Sequence, residues 1–138
     1  MNVLYPAFAM IGLTLFCISR LGYLRFKAVK HGQIDPRFFT LYRGYEEPEK
    51  LAAYSRHVVN LFETPVLFYA ICLIAFVTGQ AAGAAVLGLA WAYFGLRLVH
   101  SYVHLTSNVV IVRFRLFTLS MLILLVLWGV VLTGVMRQ

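Results

Sequence analysis

An all-α membrane fold, a bundle of four transmembrane helices, is what this sequence predicts, on three observations. First, 62% of its 138 residues are hydrophobic and only 12% are charged, against about 25% charged residues in soluble chains. Second, the mean hydropathy of +0.83 is concentrated in four runs, roughly 3–24, 57–78, 84–106 and 116–136. Third, each run is long enough to cross about 30 Å of hydrocarbon as a helix and too long for a barrel strand. One domain over 1–138 accommodates all four.

The first helix is expected over about 3–24. The N-terminal MNVLYPAF carries neither a basic leader nor a small-residue cleavage site, so this run is expected to be retained. The second helix is expected over about 48–78. It begins outside the membrane, where Glu46-Glu47-Pro48-Glu49 sets a proline in the first turn and acids at the positive end of the helix dipole. The third, about 84–106, follows a short uncharged turn at 79–83. It carries Ala81, Ala85, Gly88, Ala92 and Gly95 at spacings of four, three, four and three, a stripe that permits close helix approach. The fourth, about 112–136, has no charge between Leu116 and Met136.

A formal charge of +7 would suggest a polyanion partner in a soluble protein, but here it orients the spans, and no nucleic acid is expected. Arg25, Lys27, Lys30, Arg37, Arg43, Lys50, Arg113 and Arg115 fall on the side shared by the first and third connections, with Arg137 opposite. The excess of positive charge places those connections in the cytosol and both termini outside. Cys17 and Cys72 lie in separate apolar runs without CxxC spacing and read as small buried hydrophobes.

Polar residues inside the spans are the candidate functional groups. Arg56, Asn60 and Glu63, at spacings of four and three, share one helix face, as do Arg97, His100 and His104 at three and four. Unpaired at the bilayer centre, each arginine would cost about 2.5–3.5 kcal/mol. Pairing, or a water-filled cavity, is therefore expected. Glu63 lies about 10 Å deeper than Arg56, and Arg20, Arg97 and Arg113 gather toward the same cytosolic half. Simpler readings stand beside this one. Arg56 could snorkel, Glu63 and Arg97 could form a purely structural ion pair, and Arg113 and Arg115 could be topology signals. His100 and His104 as H-x3-H are a weak metal signal without a third ligand, and no metal is expected. Haem would want histidines from different helices, and His57, the other candidate, lies near the wrong boundary of its helix.

The segment R-H-V-V-N-L-F-E, the later R-L-V-H-S-Y-V-H followed by R-F-R, and the four-helix layout resemble the membrane-associated proteins in eicosanoid and glutathione metabolism, the MAPEG family. The resemblance implies a homotrimer with active sites between subunits, facing the cytosol. It implies a glutathione-dependent transferase or peroxidase in detoxification chemistry, with glutathione as cosubstrate and hydrophobic small molecules or lipid peroxides as the other substrates. Arg56, Asn60 and Glu63 would then hold the glutathione peptide, Glu63 at the γ-glutamyl ammonium. Arg20 or Arg25, together with Arg56 and Arg97, would meet its carboxylates. His100 and His104 would complete the binding set, and Arg113, with Arg115 as the alternative register, would stabilise the thiolate. A thiol titrating near pH 8.5 is only a few per cent ionised at neutrality. An arginine that lowers this by about two units contributes roughly 2.7 kcal/mol.

The chain departs from the family pattern at His104, which stands where relatives carry tyrosine, at Pro65, closer to the glutamate than in the eukaryotic enzymes, and at Phe114, which replaces a serine of the prostaglandin-type isomerase. These differences argue against eicosanoid specialisation. Two other classes remain open. A small proton-coupled transporter would use Glu63 as its cycling carboxylate, and a non-catalytic MAPEG-like membrane protein would keep the cluster for assembly alone.

Overall fold

The computed structural model describes residues 2–42, 44 and 46–137. Arg43, counted above among the orienting charges, lies outside the described residues. Among the described residues six helices follow one another: α1 (Leu4–Lys30), α2 (Phe38–Leu41), α3 (Glu49–Glu63), α4 (Pro65–Val77), α5 (Ala84–Leu105) and α6 (Val110–Val135). By length and apolar composition α1, the continuous Glu49–Val77 unit, α5 and α6 are four membrane spans. The chain is thus an all-α membrane protein built as a four-helix bundle.

α1 runs past the apolar stretch to Lys30, with Lys27 and Lys30 in its last turn, where positive charge complements the helix dipole. Gly32 then turns the chain at φ 66°. α3 starts directly behind Pro48 with Glu49 in its first turn. The second span is interrupted at Thr64 because Pro65 has no N–H to donate back to the preceding turn. Thr64 keeps helical angles (φ −87°, ψ −37°), so the break is a kink rather than a turn.

Met10, Cys17, Leu61, Phe68, Ile71, Tyr93, Leu124, Leu127 and Val131 form the membrane core, in which the Phe68 and Tyr93 rings stack at 4.4 Å between α4 and α5. A second cluster at the opposite end joins α1, the first connection and α3 through Leu21, Ala28, Ile34, Phe38, Leu51 and Tyr54. That end carries the first and third connections and is here called the basic end. At the other end Gln80 in the α4–α5 turn donates from Nε2 to the Val131 carbonyl at 3.2 Å, and Val3 donates from its N–H to the Ala81 carbonyl at 2.9 Å.

The small-residue stripe is not spent inside the bundle. Ala81 is buried, but Ala85, Gly88 and Ala92 are exposed and Gly95 half-buried. A methyl group added at Gly88 or Gly95 would meet nothing within 4 Å. Phe8, Phe16, Leu73, Val77, Leu122 and Leu125 are likewise exposed, a large apolar surface of the kind that faces lipid or another subunit.

Candidate functional site

Three helices deliver the polar face residues to one place at the basic end. Arg56, Asn60 and Glu63 come from α3, His100 and His104 from α5, and Arg113 from the first turn of α6. Together with Val110, Phe114 and Phe117 they line a cleft of about 330 Å³. The convergence follows from local geometry. Spacings of three and four hold each set on its own helix face, and the short α5–α6 connection folds α6 back beside α5.

Arg97 stands behind the cleft wall, fully buried. Its Nη2 donates to the Asn60 carbonyl at 3.4 Å and, more closely, to the Asn60 side-chain oxygen. Its guanidinium also lies 5.8 Å from the Phe117 ring centre. The simpler alternative of a Glu63–Arg97 ion pair is not formed among the described residues. Glu63 is exposed at the rim, and among the described residues it has no ion pair. Asn60, one turn nearer the basic end, is the α3 residue that Arg97 reaches.

The connection after α5 positions Arg113. Asn108 adopts the left-handed conformation at φ 51°, which asparagine tolerates better than most residues. Its N–H donates to the Val103 carbonyl at 2.8 Å, closing the turn. Its side-chain oxygen accepts from Arg113 Nη1. His100 Nδ1 lies 3.1 Å from the Arg113 carbonyl; since a carbonyl only accepts, Nδ1 is the donor in this contact.

His57, expected near the wrong boundary of its helix, instead sits against the α5 histidines. It is fully buried, its ring centre 4.9 Å from that of His104 and 6.0 Å from that of His100. A signal for this was present: Tyr54, His57 and Leu61, at spacings of three and four, form the buried stripe of α3. Among the described residues neither ring nitrogen of His57 has a hydrogen-bond partner, nor do Arg97 Nε and Nη1, His104 Nδ1 or Arg113 Nε. These buried, unsatisfied groups suit a polar ligand or water. Among the described residues no three His, Cys, Asp or Glu side chains are arranged to hold a metal ion.

The remaining candidate residues lie elsewhere in the bundle. Arg25 donates to Ser55 Oγ at 3.4 Å in a recess of about 380 Å³ that Arg56 also lines, so it adjoins the cleft through Arg56. Arg20 lines a separate pocket with Lys27 and Lys50. Arg115 is exposed and does not line the cleft, whereas Arg113 does.

A model of the MAPEG family matches residues 3–133, nearly the whole chain. The chain belongs to the MAPEG family. Comparison with curated proteins and with solved structures gives no match. Membership makes this a multi-pass membrane protein of the glutathione and eicosanoid metabolism family, and it agrees with the four-helix bundle seen here. The cleft unites the Arg56, Asn60 and Glu63 face of α3 with polar residues of α5 and the start of α6.

Proposed function

We propose that this MAPEG protein is a glutathione-dependent membrane enzyme, a transferase or peroxidase acting on small hydrophobic electrophiles. The observation that carries the reading is the meeting of Arg56, Asn60, Glu63, His100, His104 and Arg113 around one cleft. Glutathione offers one ammonium, two carboxylates and one thiol. Glu63, exposed and without an ion pair among the described residues, is the complement for the ammonium. Arg56, with Arg25 beside it, suits the carboxylates through the planar guanidinium fork. Arg113, tethered by Asn108, is the group for the sulfur: beside it the thiol loses its proton to solvent, and the thiolate bonds to the electrophile as the leaving group departs. The cosubstrate brings the nucleophile, so no protein nucleophile is required.

The working unit in this proposal is a homotrimer. Glu63 lies about 21 Å from the far end of its span at 1.5 Å per residue, inside the hydrocarbon depth. A carboxylate facing lipid there is costly, and a neighbouring subunit covering Glu63, with exposed Gly88 and Ala92 as a close-approach surface, removes that cost. The basic end faces the cytosol by the positive-inside rule, both termini the other side.

The same unpaired Glu63 favours one second reading, a proton-coupled transporter in which this carboxylate cycles. Calorimetry with glutathione in detergent, wild type beside Arg56→Ala, tests the first. Heat of binding in wild type and its loss in the variant are expected; no heat at millimolar glutathione in wild type refutes it.

A further inference from the structure

Between the last turns of α1 and the first turn of α3 lies a pocket of about 400 Å³ whose walls carry Arg20, Lys27 and Lys50 and no carboxylate. Among the described residues none of these three side chains makes a hydrogen bond or an ion pair. Arg20 instead lies over the Tyr23 ring, 5.2 Å from its centre. Three like charges share one concavity without a counter-charge. Their mutual repulsion favours a bound anion.

Depth and shape say which anion. α1 has 27 residues and the Glu49–Val77 span 29, about 40 and 43 Å at 1.5 Å per residue, against about 30 Å of hydrocarbon. The surplus falls at the basic end, so Lys27 and Lys50 stand at headgroup depth, with Arg20 about two turns below Lys27. Phe16, Arg20, Tyr23 and Lys27 follow at spacings of four, three and four, and all four are exposed. One face of α1 therefore passes from an apolar aromatic, inside the membrane, to cations at its surface. A free phosphate would use only the upper part of that face. A phospholipid uses both, its phosphate at the cations and its acyl chains along Phe16.

We propose that this pocket binds the headgroup of an anionic phospholipid. Arg20, Lys27 and Lys50 hold the headgroup's negative charge, and the α1 face below them takes the acyl chains. The ligand class is a phosphodiester with a net negative headgroup, and phosphatidylglycerol serves as the probe.

The test is native mass spectrometry of the full chain in mild detergent, with phosphatidylglycerol against phosphatidylcholine. Wild type is expected to retain phosphatidylglycerol preferentially. Lys27→Gln/Lys50→Gln lowers that retention by about tenfold or more. Lys30→Gln/Arg37→Gln removes the same charge from the same end and keeps it. Equal retention of the two lipids overturns the proposal, as does an equal loss in both double variants, which would mean general surface charge. Displacement by millimolar inorganic phosphate would assign the site to free phosphate and overturn the lipid. A second measurement needs no variant: phosphatidylglycerol raises the thermal midpoint of the wild type and phosphatidylcholine does not. The absence of any difference there refutes the proposal too.

Discussion

Arg97 on α5, fully buried, donates to both the side-chain and the main-chain oxygens of Asn60 on α3. This contact ties the two helices behind the cleft and satisfies part of a guanidinium that has left water. A hydrogen bond to a charged group is worth about 1.5–3 kcal/mol, and a buried charge stripped of its partner costs more. Asn60→Leu is therefore expected to lower the thermal midpoint in detergent by several degrees. Asn60→Leu/Arg97→Leu, which removes charge and partner together, should be more stable than Asn60→Leu alone. A double variant less stable than the single would mean that Arg97 is held by groups other than Asn60.

Asn108 tests whether tethering Arg113 matters to chemistry. Asn108→Gly keeps the left-handed backbone and deletes only the oxygen that Arg113 donates to. This bond is solvent-exposed, so its loss, about 1–1.5 kcal/mol, predicts a five- to tenfold fall in conjugation rate with glutathione affinity nearly unchanged. Steady-state kinetics with a chlorinated nitrobenzene acceptor would show it as a drop in kcat. A rise in KM for glutathione alone would instead place Asn108 among the binding residues.

Glu63→Gln separates the enzyme from the transporter. Because Glu63 has no ion pair among the described residues, its neutralisation breaks no salt bridge and is not expected to lower the thermal midpoint. As the partner of the γ-glutamyl ammonium it should cost glutathione affinity about 10-fold or more. Isothermal calorimetry measures the affinity, and a pH electrode on lightly buffered protein measures proton release on addition of a cationic drug. Unchanged glutathione binding together with abolished proton release would favour transport.

The spans and the same-helix faces were legible because both depend on one chain segment at a time. Run length against membrane thickness yields four helices, and spacing by three and four aligns Arg56 with Asn60 and Glu63 or Arg97 with His100 and His104. Contacts between helices depend on axial rotation and on relative height, and no single segment encodes those. Periodicity therefore leaves open which α3 residue meets Arg97, and the bundle brings Asn60 there rather than Glu63. His57 was hidden for a related reason: its buried stripe with Tyr54 and Leu61 looks apolar apart from the imidazole itself. Asn108 lay in a connection without periodicity, and only its left-handed backbone marks it.

The proposed orientation can be read with thiol chemistry because the native thiols are silent. Cys17 is 0% and Cys72 1% exposed, so a membrane-impermeant maleimide should react only with a cysteine introduced at a connection. Gln33, in the first connection, and Ala82, in the α4–α5 turn, are both exposed and belong to opposite ends of the bundle. With the basic end in the cytosol, Gln33→Cys should label only after cells are opened, and Ala82→Cys should label in intact ones. The charge asymmetry that motivates this is worth about 1 kcal/mol per basic residue near an anionic leaflet. Labelling of Gln33→Cys in intact cells would invert the bundle. The cleft would then open away from the cytosol and its glutathione pool, and the enzymatic proposal would lose its cosubstrate.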